Sequence, residues 1–183
     1  MAHDFKTHRT AFETPWFSVF EKDTWYAIST PSGRFGGGTL IMDSRGDILL
    51  VEVYRHPIDR LALEIPRGRF DPGDRDSLAT ALREAEEETG VSLAAARILD
   101  LGIVHPDDGV LAYENRLAAA VLDAPFGAIR TDPGEVRGWR QVAFETARTM
   151  AVSGEINDSH TIAALFRLDA MLAQHRPFPR SLT

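Results

Sequence analysis

Glu84, Glu87 and Glu88 stand at i, i+3 and i+4 of one short segment, Ser77 to Thr89, and Arg83 directly precedes the first of them. The segment has helical periodicity, with Leu78, Ala81, Leu82 and Ala85 on one stripe. On a helix turning about 100° per residue, with Glu84 at zero, Glu87 falls near about −60° and Glu88 near about +40°. The three carboxylates therefore share roughly one quadrant, beside the stripe that must be buried. Glu86 points elsewhere, toward solvent. Carboxylates this close repel one another by a few tenths of a kcal/mol per pair. Arg83 offsets part of that, and a hard cation such as Mg²⁺, Mn²⁺ or Ca²⁺ would offset more. The run alone also reads as a solvated helix face, the commoner fate of clustered glutamates. Its surroundings decide between the two.

Those surroundings begin with the ends of the helix. Asp76 is placed to cap its first turn, and Gly90 to end it in a left-handed conformation. Upstream, Asp71-Pro72-Gly73-Asp74 is a loop. Before it, strands are expected over Trp16–Phe20, Thr24–Ser29, Thr39–Met42, Ile48–Tyr54 and Leu61–Ile65. Pro31-Ser32-Gly33 is a turn signal. Gly36-Gly37-Gly38 lacks the Lys-Ser/Thr and helix of a phosphate loop, and is expected to be a flexible turn. After the helix, strands are expected at Ile98–Val104, Leu117–Leu122 and near Trp139–Val142. A helix follows over Phe144–Ser153, stopped by Gly154. A last helix runs from Asp158 or Ser159 to about Gln174, with Ile162, Leu165, Phe166 and Leu172 facing inward. This order, with no regular β/α alternation, gives an α+β fold, an α/β/α sandwich around a mixed sheet.

The 183 residues suffice for one domain with a small appended element. The net charge of −7 argues against a general attraction to duplex nucleic acid or anionic lipid, though not against a small anion held through a cation. There are no cysteines, which removes disulfides, thiolate metal sites and cysteine catalysis. His105 and His160 have no second histidine at zinc-ligand spacing and are expected to be structural. Residues 1–10 are polar, with no apolar core of a secretory signal, and no stretch approaches a membrane span. A cytoplasmic protein is expected.

The stretch Gly68-Arg69-Phe70-Asp71-Pro72-Gly73-Asp74, seven linking residues, and Leu82-Arg83-Glu84-Ala85-Glu86-Glu87-Glu88-Thr89-Gly90-Val91 closely resembles the Nudix box. In that loop-helix-loop pattern a glycine and an acid precede R-E-aliphatic-x-E-E-x-G-aliphatic. The second half matches at every defined position. The first half departs: counting from Gly68 puts the box acid at Asp74, whereas counting back from Arg83 puts it at Arg75. A one-residue insertion, with Asp74 as a shortened substitute in the loop-supporting role, accounts for both counts. Tyr54-Arg55-His56-Pro57, Glu64-Ile65-Pro66-Arg67-Gly68, Pro106, and Ser153 through Leu165 resemble the ADP-ribose pyrophosphatase subgroup.

The resemblance implies a Nudix fold with a metal-dependent pyrophosphohydrolase activity, most simply ADP-ribose to AMP and ribose 5-phosphate. Alternatives are another nucleotide sugar of the GDP-mannose type, or a nucleotide-binding module without turnover. It implies Mg²⁺, with Mn²⁺ possible, held by Glu84, Glu87 and Glu88 with the carbonyl of Arg67. Arg83 and Glu87 belong to the catalytic set. The base would be Glu135, in Thr131-Asp132-Pro133-Gly134-Glu135, or Glu114; either is otherwise an ordinary loop acid. Arg55 is the phosphate clamp, since guanidinium matches phosphate bidentately; it would equally serve as a surface arginine or a partner for Glu64. Glu64 would contact ribose or metal, or cap its strand. Adenine needs a flat apolar face, for which Trp16 and Phe35 are candidates. Trp25 is expected to pack within its sheet instead. The chain is expected to divide into a β region, 1–38, serving dimerisation and base binding, and a hydrolase domain, 39–183, working as a homodimer.

Overall fold

The structure, a computed structural model, describes residues 5, 7–30, 36–131, 134 and 136–173. Three antiparallel strands come first: β1 (Arg9–Glu13), β2 (Ser18–Lys22) and β3 (Trp25–Ser29), in that order in a small sheet. β1 was not expected from the sequence, because its residues all lie exposed and lack the alternation that marks a half-buried strand. Trp25 stands 72% exposed at the start of β3, so it does not pack within that sheet as expected.

The main sheet is mixed and has seven strands. Its path is β10 (Val136–Ala143), β5 (Asp47–Arg55), β4 (Gly37–Met42), β9 (Asn115–Val121) and β8 (Arg97–Val104). Only β4 and β9 run parallel; the other pairs are antiparallel. β5 pairs with β4 only through Leu49 and Ile48, then diverges to pair with β6 (Arg60–Glu64) from Val51 to Arg55. The chain leaves β6 through Ile65 and Pro66 and lays β7 (Arg67–Gly68) against the free end of β4. The parting of β4 from β5 is thus filled by the segment that leads into the acidic helix.

Alternation along β4 and β5 divides the core in two. Leu40, Met42, Ile48 and Leu50 face one cluster, with Phe144, Ala147 and Met150 of α2 (Phe144–Ser153) and Leu165 and Leu168 of α3 (Ser159–Ala173). Ile41 and Leu49 face the other, with Ala85 of α1 (Ser77–Thr89). One helix lies on one side and two on the other, the expected sandwich.

Two expectations change. Gly37 and Gly38 are not a flexible turn; both are buried in β4 and paired with Gly68 and Arg67. The missing side chains bring α1 close, since a Cβ at Gly37 would meet Ser77 O at 2.5 Å and Ala81 Cβ at 2.6 Å. The inward face of α3 is also rotated. Thr161, Ala164, Leu165 and Leu168 are buried, whereas Phe166 is 73% exposed and Ile162 and Leu172 are partly so. The helix carries apolar residues on more than one face, so periodicity does not fix its rotation. Polar contacts at its first turn do: Thr161 Oγ1 accepts from Ile65 N at 2.9 Å and donates to Asp158 at 2.8 Å.

Candidate active site

Helix α1 forms where its caps require. Asp76 accepts from Ala79 N at 2.9 Å, and Gly90 takes a positive φ of 66° and closes the last turn onto Glu86 O. Ala81 and Ala85 are fully buried, and Thr39 of β4 donates to Ala81 O at 2.8 Å. This fixes the rotation of the helix, so Glu84, Glu87 and Glu88 turn to one cleft of roughly 1130 Å³, large enough for a nucleotide derivative. Glu86 is exposed, and its carboxylate accepts from Leu93 N at 2.6 Å, tying down the loop after the helix.

Arg83 organises the acids around it. Its Nε and Nη2 meet Asp74 Oδ1 and Oδ2 at 2.9 and 3.0 Å. Nη2 also reaches Glu84 at 2.9 Å and Arg69 O at 3.0 Å, and Nη1 reaches Glu87 at 2.6 Å. Asp74 further accepts from Asp71 N at 3.0 Å and Thr80 Oγ1 at 2.9 Å. The Arg83 hydrogen bond is the largest cause that holds its pKa down, from 3.8 to about 2. Asp74 thus braces the loop onto the helix, the role inferred for a shortened box acid. Arg83 keeps Asp74 as its two-pronged partner across the loop.

The opposite wall carries cations. Arg55 donates to Glu64 Oε1 at 2.8 Å, and Arg67 Nε donates to Glu64 Oε2 at 3.0 Å. Glu64 is fully buried behind the two guanidiniums, so it orients them and does not line the cleft. Burial works to lower the Arg55 pKa, but its hydrogen bond to Glu64 and the charges of Glu64, Asp158 and Glu88 raise it overall. Arg67 N donates to Glu88 Oε2 at 3.1 Å, joining this wall to the helix. Gly68 lies under Glu84: a Cβ there would collide with the Glu84 carboxylate. Only glycine lets the strand approach the acid so closely.

The cleft brings together Trp16, Arg55, Arg67, Glu84, Glu87 and Glu88. Trp16 is 67% exposed, and Arg69 Cζ lies 5.8 Å from its ring centroid, a cation–π contact. Glu114 is not among the lining residues, although Tyr113 and Asn115 on either side are. Arg83 also stands behind the wall. Glu135 and Phe35 lie outside the described residues. The lining by Arg67, Arg69, Tyr113 and Asn115 side chains was not expected from the sequence. A second groove, of about 450 Å³ between α2 and α3, is largely apolar and holds none of the acids of α1.

The donor set suits a hard divalent cation: carboxylate oxygens on one side of a cleft, with backbone carbonyls of β7 nearby. Among the described residues no three acidic or histidine side chains converge as they stand. Arg83 holds the Glu84 and Glu87 carboxylates on its own guanidinium.

A family model for the NUDIX domain matches residues 34–165. An ADP-ribose pyrophosphatase of Mycobacterium tuberculosis is 30% identical over 152 residues, 79% of this chain and 71% of that protein. An ADP-ribose pyrophosphatase of Bacillus subtilis is 27% identical over 130 residues, 69% of this chain and 67% of that protein. A methanol dehydrogenase activator of Bacillus methanolicus is 43% identical over a shorter stretch of 51 residues, 28% of this chain and 27% of that protein.

Proposed function

Because the chain belongs to the Nudix family and is a nucleotide pyrophosphohydrolase, we propose that its substrate is ADP-ribose, cleaved with the help of a divalent cation to AMP and ribose 5-phosphate. One observation carries the reading: two arginines, Arg55 and Arg67, braced by one buried Glu64, face the same cleft as three glutamates of α1. Guanidiniums on one wall suit diphosphate oxygens, and carboxylates on the other suit the cation that must neutralise them. The two ADP-ribose pyrophosphatase relatives span most of the chain and favour this nucleotide sugar over a GDP-mannose type.

Glu84, Glu87 and Glu88, with the Arg67 carbonyl, would hold Mg²⁺ or Mn²⁺. When bound, the cation withdraws charge from the phosphoryl oxygens. Arg55 binds those oxygens and is kept charged and oriented by Glu64. Arg83 acts on the reaction through Glu84 and Glu87, whose carboxylates it positions. Water adds to phosphorus as the bridging P–O bond breaks, and its proton passes to a base. We assign that base to Glu135, whose chain neighbour Val136 lines the cleft, ahead of Glu114. Trp16, with Arg69 over its ring, offers the adenine a flat face; Phe35 is a second candidate.

We also take residues 1–38 as the dimerisation and base-binding region of a cytoplasmic homodimer. Phe12, Trp16, Trp25 and Tyr26 are more than half exposed there, which supports a covered face. No helix among the described residues is long and apolar enough to cross a membrane. Purified protein with Mg²⁺ or Mn²⁺ is tested against ADP-ribose, NADH, GDP-mannose and dinucleoside polyphosphates. Preference for ADP-ribose with AMP as product supports the reading; preference for GDP-mannose overturns the substrate; no cleavage of any overturns the function.

A further inference from the structure

The arginine wall continues past Arg67 as a line of buried polar side chains. Arg67 Nη2 stands 3.3 Å from Asp158 Oδ1. Asp158 is held at the head of α3, where its Oδ2 accepts from Thr161 N at 2.9 Å and Thr161 Oγ1 at 2.8 Å. Its Oδ1 also faces His160 Nδ1 at 3.4 Å. On the other side of that ring, His160 Nε2 lies 2.7 Å from Asn115 Nδ2. The His160 side chain is 7% exposed and that of Asp158 10%. Asn115 ends the line and lines the cleft.

The contact with Asp158 sets the direction of the whole line. A carboxylate accepts and does not donate, so the proton of the neutral ring sits on Nδ1, facing Asp158 Oδ1, and Nε2 presents its lone pair to the Asn115 amide. The ring then holds the Asn115 amide with its nitrogen inward and its oxygen outward. Asn115 Oδ1 lies against Gly36, 2.7 Å from where a Cβ would stand, and the Gly68 carbonyl oxygen crowds the same point. The Glu84 carboxylate covers Gly68 from the helix side. This corner of the cleft is therefore built of acceptor oxygens. Acceptor oxygens there suit a cation on the Glu84 side and a hydroxyl donor at Asn115, and repel an uncompensated phosphoryl oxygen at either place. The corner adjoins Glu84 and Arg67, so the hydroxyl belongs to the group esterified to the diphosphate.

We propose that Asn115 is a specificity-determining residue that accepts a sugar hydroxyl of the substrate, and that His160 and Asp158 are positioning residues that fix its amide. The proposal rests on the reading of the substrate as a nucleoside diphosphate sugar. It explains why an aspartate and a histidine are buried together behind the cleft without touching it. It also gives the start of α3 a function in recognition, beyond packing.

The test compares full-length wild type, Asn115→Leu, His160→Leu and His160→Gln with ADP-ribose and Mg²⁺. Asn115→Leu and His160→Leu should each raise KM about tenfold, the worth of one hydrogen bond, and leave kcat within about threefold. His160→Gln should recover most of the KM, because its amide oxygen can accept from Asn115 in place of Nε2. With a chelator present, ADP-ribose should raise the Tm of wild type and His160→Gln more than that of Asn115→Leu at the same concentration. If wild type cleaves ADP-ribose and Asn115→Leu keeps its KM, the assignment of Asn115 is overturned while the enzyme reading stands. If His160→Gln is as impaired as His160→Leu, the positioning role is overturned. If wild type neither binds nor cleaves ADP-ribose, the substrate reading falls and takes this proposal with it.

Discussion

Asp74 and Arg83 meet in a two-pronged pair, Nε to Oδ1 at 2.9 Å and Nη2 to Oδ2 at 3.0 Å, and the Asp74 side chain is 7% exposed. The pair joins the loop of the box to its helix across nine positions. The same guanidinium holds Glu84 and Glu87, so the loop's support and the orientation of the acids are one network.

A pH dependence follows from that pair. The folded-state pKa of Asp74 is depressed to about 2 from an ordinary 3.8. A depressed carboxylate contributes stability that is fully present above its unfolded value and is lost as pH falls through its folded value. Urea unfolding between pH 6 and pH 2 should therefore show stability falling from about pH 4 downward. Asp74→Asn should be less stable at pH 6 and show a shallower decline over that window. An identical slope in the variant contradicts the pairing.

The closeness of Gly68 to Glu84 gives a second expectation. A methyl at Gly68 meets the far end of a flexible side chain, which can swing away, so Gly68→Ala should fold with a loss of under about 1 kcal/mol. The acid, however, is displaced, and a misplacement of about 1 Å can cost on the order of 100-fold in rate. Steady-state turnover with a parallel thermal melt separates the two effects. A variant of normal rate would show that Glu84 does not need its present place.

How far the chemistry can be read from residue order depends on how local each signal is. The caps of α1, its buried stripe and the grouping of its acids are local, and they appear where Asp76, Ala81 and Gly90 place them. The role of Asp74 is also local, because the count from Gly68 points to it. Other features are not. Asn115 and His160 are 45 positions apart, and nothing in either neighbourhood announces their contact. Gly37 and Gly38 look like a turn until α1 is seen packed against them. The side chain of Arg67 becomes part of the wall only because β6 leaves β5 and β7 joins β4. β1 lies wholly exposed, so alternation has little to report there.

The rotation of α3 gives a third expectation. Leu165 is 2% exposed in the main core and Phe166 is 73% exposed beside it. Leu165→Ala should cost about 2–5 kcal/mol, the range for a buried leucine. Phe166→Ser should change stability by no more than about 0.5 kcal/mol, as an exposed site does. Chemical denaturation of both variants checks this; a reversed order would restore the rotation expected from periodicity alone.

The most direct test is turnover of ADP-ribose by the wild-type chain with Mg²⁺, against Glu88→Gln under the same conditions. Glu88 is buried at the junction of α1 and the arginine wall, accepting from Arg67 N. AMP and ribose 5-phosphate are expected in equal amounts from the wild type, with no reaction in chelator and a rate lower by about 100-fold or more in the variant. Cleavage that continues unchanged in Glu88→Gln, or a wild type that leaves ADP-ribose intact, would contradict this reading.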